Sequence, residues 1–157
     1  VHTLEKKLLY GVGMIFNTMN NINIENKKVR FEYTILDTYQ AGIVLTGTEV
    51  KAIRNGKINM TDTYCYFKGS ELYVKNISIS LSDGEPKRER KLLLKKNELK
   101  KLKNSLINGL TIVPLRLYSS ERGLIKVDIV LAKGKKNHDK RESIKEKDIQ
   151  RDIQKNI

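Results

Sequence analysis

The sequence predicts a mainly β protein: a small closed or partly open β-barrel with flanking short helices, ending in a tail that is disordered when free. Three observations predict it. Between about Asn26 and Lys133, short runs rich in β-branched and aromatic residues recur, bounded by Gly, Asn and Ser turns. Two stretches within that span carry helix start and stop signals instead. Past Lys133 the apolar alternation stops and mixed charge takes over. The plan is a flexible leader over 1–25, a barrel over 26–133 and a basic tail over 134–157.

The elements follow in order. The chain begins with Val1 and precedes Met14, a candidate initiator; "VHTLEKKLLYGVG" lacks the long apolar stretch of a secretory signal. The leader turns Asn-rich toward Glu25 and reads as mobile. "FEYTILDTYQAGIVL" reads as strand, with a bulge or bend near Ala41-Gly42. In "TGTEVKAIRNG", Thr46 and Glu49 are spaced as a capping box, each side chain satisfying the other's free N–H, and Asn55-Gly56 stops a short helix. "TYCYFKGSELYVKNISIS" gives a hairpin about Lys68-Gly69-Ser70 and a further strand. "NELKKLKNSLINGL" is a second helix, with Asn97 as cap, Leu99, Leu102 and Leu106 inward, and Gly109 as stop.

"LTIVPLRLY" and "GLIKVDIVLA" are two more strands joined by "SSERG". Ile125, Val127, Ile129 and Leu131 alternate with Lys126, Asp128 and Val130, so one face is core and the other partly wet. Pro114 cannot donate a ladder bond and belongs at an edge or bulge. In the tail, Ile149, Ile153 and Ile157 recur every four residues. A helix there carries only a thin apolar stripe and is marginal alone, so it is expected to order on docking. Among small barrels of this make-up the OB-like type leads, and such barrels often bind RNA.

The totals bound the function. The chain has 157 residues, 39% hydrophobic and 31% charged, with a formal net charge of +13 and a pI of about 9.8. So large an excess repels itself and implies a polyanionic partner, nucleic acid before a membrane surface. No apolar run approaches the roughly 20 residues needed to cross a bilayer. A single cysteine, Cys65, allows no internal disulfide, suits a reducing compartment and reads as a small buried hydrophobe. The two His have no metal-ligand spacing, and no Walker A, HExxH, GxSxG or GxGxxG string occurs. The expectation is no enzyme, no metal and no cofactor.

Basic clusters say more. Lys27, Lys28 and Arg30 precede the first long strand. Lys87, Arg88, Arg90, Lys91, Lys95 and Lys96 surround a loop and a helix start, and "KGKKNHDKR" follows the last strand. Each alone could be a solvated face; three on one small domain point to an RNA footprint, in which phosphate contacts orient and aromatic or amide groups meet bases. Tyr39, Tyr64, Tyr66, Tyr73 and Tyr118 are available, although strand spacing suits core or barrel-surface roles too.

The strings "AGIVLTGTEVKAIRNGK", "RKLLL" and "LAKGKKNHDKR" closely resemble the small protein B family, the tmRNA-binding proteins of bacterial ribosome rescue, from about Asn26 to Asp152. The resemblance implies an OB-like barrel that grips the tRNA-like part of tmRNA. It implies delivery of alanyl-tmRNA, with elongation factor Tu, to stalled ribosomes in the bacterial cytoplasm, an organellar version being the alternative. The tail would occupy the empty mRNA channel. The resemblance implies RNA contacts at Asn26, at Gln40 and Gly42 about the Ala-Gly pair, and at Leu93, Lys95 and Lys126; the basic clusters add Lys27, Lys28, Arg30, Arg90 and Lys91 to the expected RNA-binding set. The implied ribosome-binding set is Lys133, Gly134, Lys135, Lys136, His138, Asp139, Lys140 and Arg141, with His138 stacking on decoding-centre RNA.

The chain departs from the family's usual pattern in four places. Gln40 stands where that pattern has Glu, and Lys95 where it has Asn or His. The loop before "RKLLL" is short, and the tail ends early. The rival readings are a general RNA-binding barrel not specific for tmRNA, and a permanent ribosomal component.

Overall fold

The computed structural model describes residues 21–135 and 137–155. The expected leader lies outside them over 1–20, but its last residues do not behave as a leader. Asn23–Glu25 forms β1 and pairs antiparallel with β8 (Thr111–Ser119). Ile22 is buried, and its N–H donates to Ser119 Oγ at 2.9 Å. An apolar side chain against a strand edge orders a segment whose composition alone reads as loose.

The remaining elements are α1 (Lys28–Glu32), β2 (Tyr33–Ile43), α2 (Gly47–Arg54), β3 (Ile58–Asn59), β4 (Tyr64–Lys68), β5 (Glu71–Lys75), β6 (Ser78–Ile79), β7 (Arg90–Leu93), α3 (Lys96–Leu106), β9 (Ile125–Gly134) and α4 (Asn137–Lys155). Seven strands form one antiparallel sheet in the order β1-β8-β4-β5-β7-β2-β9, and β8 also pairs β9, so the sheet curls into a near-closed ring. The closure is thinnest between β4 and β8, where Cys65 faces Ile112. Cys65 is buried there, and burial raises its thiol pKa, as befits a packing residue.

The ring is filled by residues such as Ala41, Leu72, Val74, Leu92, Ile112, Leu117, Val127 and Ile129, with Ile53 of α2 and Leu102 of α3. The helix signals act as their chemistry requires. Thr46 N–H donates to Glu49 Oε1 at 2.8 Å and Glu49 N–H to Thr46 Oγ1 at 3.2 Å. Gly56 takes the left-handed conformation, φ +72°, that ends α2. The α3 helix begins earlier than expected. Glu98 reaches back to the Lys95 N–H at 3.0 Å, so Lys95 rather than Asn97 is the cap. The β4–β5 turn puts Gly69 at φ +62°, the first central position of a two-residue hairpin turn, where a Cβ would be strained.

Two bulges decide which side chains face outward. The β2–β9 register slips between Ile35 and Asp37, and the β8–β9 register slips between Pro114 and Arg116. The second meets the expectation for Pro114. The first lies away from Ala41-Gly42, where β2 instead passes from β9 to β7: Gly42 faces both Lys126 and Leu93. An extra residue reverses the parity of a strand. Beyond the bulges, Tyr33, Ile35 and Val113 therefore point outward with Val130 and Ala132. There they meet Val29 of α1 and form a second small core. The outer face of β9 was expected to be partly wet; it is wet at Lys126 and Asp128 and dry at Val130. The same packing explains α1, whose Phe31 and Glu32 read as strand. A five-residue helix has almost no local signal and stands only because its apolar residue is covered.

Candidate nucleic-acid interface

The strand ladders bring together residues far apart in sequence. Across the outer face of β7, β2, β9 and β8, the row Leu93, Gly42, Lys126, Tyr118 lies in register. One pleat along is the row Gln40, Asp128, Arg116. Four of the expected RNA-binding residues, Gln40, Gly42, Leu93 and Lys126, thus share one strip. Leu93 is 52% exposed, unusual for a leucine in a strand. Gly42 leaves the strip low beside it; a Cβ there would rest 3.4 Å from Leu93 Cβ.

The strip holds an ordered polar group. Asp128 accepts from Arg116 Nε at 3.3 Å and Nη2 at 3.1 Å. The Arg116 guanidinium stacks on the Tyr118 ring, 4.2 Å from its centroid. The Tyr118 hydroxyl accepts from Gln40 Nε2. Arg116 and Asp128 escaped the site reading. The available signal was the alternation of Arg116 and Tyr118 with Leu115 and Leu117, which marks the first pair as the wet face.

The neighbouring face of β4, β5 and β7 carries tyrosines. The rings of Tyr64 and Tyr66, and of Tyr66 and Tyr73, lie 6.3 Å apart. Their cations are largely engaged. Lys68 pairs with Glu89 at 2.9 Å and Lys91 with Glu71 at 3.3 Å. The Glu71 carboxyl is held below its usual pKa by the Tyr73 hydroxyl and by Lys91. Lys91, an expected RNA contact, thus enters the site at its rim as one half of an ion pair. Lys95 is exposed beside it at the start of α3.

Arg90 does not belong to the interface. It is fully buried: Nε donates to Glu49 Oε2 at 2.6 Å, Nη1 to the Ile77 carbonyl at 2.8 Å and Nη2 to that of Pro86 at 3.1 Å. Arg88 closes the same carboxylate from outside, Nη2 to Glu49 Oε1 at 2.6 Å. Burial alone would raise the Glu49 pKa. The Arg88 bond, the Thr46 N–H and Arg90 outweigh it and hold the carboxyl at about 2. A cluster of cations in sequence does not reveal which member has a buried acid waiting; Glu49 reads there only as a helix cap.

Asn26 also works inside the protein. Its Nδ2 donates to Thr63 Oγ1 at 3.2 Å and to the Pro114 carbonyl at 3.3 Å, tying the start of α1 to the ring. Lys27, Lys28 and Arg30 are exposed along α1, away from the strip. They lie toward the far end of β2, where Tyr33 faces Gly134 and Thr34 faces Lys133. Lys135 joins them there, its N–H donating to the Glu32 carbonyl at 2.9 Å and its Nζ to that of Arg30 at 3.1 Å. From Gly42 to Tyr33 is nine residues along one strand, roughly 30 Å at 3.3 Å per residue. The cationic residues therefore fall into two places, the strip and the exit to α4. Lys136 and the side chains of His138, Asp139 and Lys140 lie outside the described residues; Arg141 is exposed on α4.

Among the described residues no group of His, Cys, Asp or Glu could hold a metal ion, and no helix is long and apolar enough to cross a membrane. What the strip offers is shape, stacking surface, an amide and scattered cations, the groups that recognise folded RNA.

Comparison with known proteins bears on the chain as a whole. The family model described as SmpB protein matches residues 23–157. The SsrA-binding protein of Phocaeicola vulgatus is 55% identical over 139 residues, covering 84% of this chain and 93% of the relative. That of Bacteroides thetaiotaomicron is 52% identical over 140 residues, covering 85% and 93%. That of Cytophaga hutchinsonii is 53% identical over 143 residues, covering 87% and 94%. A solved structure described as "tmRNA-SmpB: a journey to the center of the bacterial ribosome" superposes with a TM-score of 0.62 at 42% identity, covering 78% of this chain and 94% of that one.

Proposed function

The chain belongs to the SmpB family, and from that premise we propose that it binds tmRNA, the SsrA RNA, and serves the trans-translation that rescues stalled bacterial ribosomes. It works by binding and is not an enzyme. One observation carries this reading: the family match runs through the ring and on through α4. A general RNA-binding barrel has no use for that tail.

In this reading the ring is an OB-like barrel. Its outer strip grips the tRNA-like part of tmRNA through Gln40, Gly42, Leu93 and Lys126, with Lys91 and Lys95 at the rim. Asn26 ties the start of α1 to the ring, and Lys27, Lys28 and Arg30 on α1 add phosphate contacts away from the strip. The protein travels with alanyl-tmRNA and elongation factor Tu. Lys133, Gly134, Lys135, Lys136, His138, Asp139, Lys140 and Arg141 face the ribosome, His138 stacking on decoding-centre RNA, and α4 enters the vacant mRNA channel. Between encounters the tail unfolds, because Ile144, Ile149 and Ile153 are exposed and nothing described covers them. The bacterial cytoplasm is the setting.

Competition binding tests the first step. Structured RNA of the tmRNA acceptor arm should displace labelled tmRNA at physiological salt far better than an unrelated hairpin. Equal displacement would leave only a general RNA-binding protein.

A further inference from the structure

We infer that Arg116 is a specificity-determining RNA contact of the strip and that Asp128 positions it, so that a carboxylate on this face favours the right RNA instead of opposing all RNA. The inference rests on the reading of the strip as the RNA-binding face. Alone on such a face, a carboxylate repels phosphates. Asp128 is not alone: it faces Arg116 directly across the β8–β9 ladder, one pleat from the row that holds Gly42 and Lys126. The acid is the more covered of the two, with 19% of its side chain exposed against 37% for Arg116.

Two contacts hold the guanidinium in one pose. Its Nε and Nη2 both donate to Asp128 Oδ2, at 3.3 and 3.1 Å. It lies over the Tyr118 ring, 4.2 Å from the centroid. A guanidinium carries five N–H groups in one plane. Asp128 engages two, and Nη1 makes no hydrogen bond among the described residues. A fixed plane of free donors is therefore left on a half-exposed side chain.

The pair also selects its ligand. Asp128 offsets the charge of Arg116, so a phosphate gains little here. Lys126 alongside has no partner among the described residues and suits that role. What fits Arg116 is an uncharged edge with two acceptors. An unpaired guanine offers O6 and N7 together, the commonest partner of an arginine fork. Lys126 then orients the RNA and Arg116 reads it.

Affinity for tmRNA acceptor-arm RNA and for an unrelated hairpin tests this. Arg116→Lys keeps the charge and removes the fork. It should weaken acceptor-arm binding about fivefold or more, leave hairpin binding unchanged and leave the salt slope unchanged. With 7-deazaguanine in the acceptor arm, which lacks the N7 acceptor, the same change should cost less than about twofold.

Asp128→Ala gives the sharper sign. Loss of a negative charge should leave hairpin binding equal or tighter, yet acceptor-arm binding should weaken about threefold or more. In an Arg116→Lys background it should no longer weaken the acceptor arm. Tighter binding of both RNAs by Asp128→Ala would show that the carboxylate only opposes RNA, and would overturn the inference. So would no loss from Arg116→Lys, equal losses on both RNAs, or a loss that persists with 7-deazaguanine. The two proposals fail separately. If the wild type does not prefer acceptor-arm RNA, the functional reading falls. If it does and Arg116→Lys keeps that preference, only the roles of Arg116 and Asp128 fall.

Discussion

Glu49 shows how much one side chain carries. It caps α2, pairs with buried Arg90 and binds Arg88, so a helix, a strand and a loop meet on one carboxylate. Its pKa is about 2 in the folded protein against roughly 4.3 in an unfolded chain. The folded form therefore prefers the ionised group. The resulting stability is present above the unfolded pKa and is lost as pH falls through the folded one, between about pH 4.3 and 2. Glu49→Gln should remove most of that acid-sensitive component and lower stability at pH 7 by about 3–5 kcal/mol, because Arg90 is left buried without its counter-charge. Urea unfolding across pH measures both. An unchanged pH profile would show that the ion pair does not contribute as described. Lys126 makes the opposite kind of prediction, since it lies on the strip and holds nothing together. Lys126→Ala should leave the unfolding midpoint in place, weaken RNA binding and lower the slope of log affinity against log salt by about 1. A salt titration of binding measures it.

At the level of elements, much was legible where the signal is local. The capping box, the Gly69 hairpin, the inward leucines of α3 and the Pro114 bulge all follow from a few adjacent residues. What was missed depends on distant partners. The α1 helix needs Val113 and Val130 beneath Val29, β1 needs the edge of β8, and the Ile35–Asp37 bulge follows from neither composition nor turn residues. The α4 helix contains the stretch in which Ile149 and Ile153 recur at helical spacing, yet both are more than half exposed. That division of labour between ring and tail can be cut. Deleting residues 140–157 should leave acceptor-arm affinity within about twofold, because no strip residue is touched, while tagging of stalled products is lost. Parallel binding and tagging assays on the truncated chain measure this; parallel loss of both would contradict the separation.

Across the whole molecule, the candidate site was legible as a set of residues but not as a place. Gln40, Leu93 and Lys126 come from three strands, and only the register through Gly42 makes them neighbours. The same lack of long-range information let Arg90 pass for a surface cation and hid Arg116 and Asp128. The strip and the exit to α4 lie at opposite ends of β2, with α1 over the strands between them. A protein of this shape can hold a folded RNA at one end and offer its tail to a second partner at the other. The most direct measurement is tagging of a nonstop message in a reconstituted translation system with the cognate tmRNA. Tagged product should appear only when the intact chain is present and should fall when strip residues such as Leu93 or Lys126 are changed. Equal tagging with and without the chain would contradict the account.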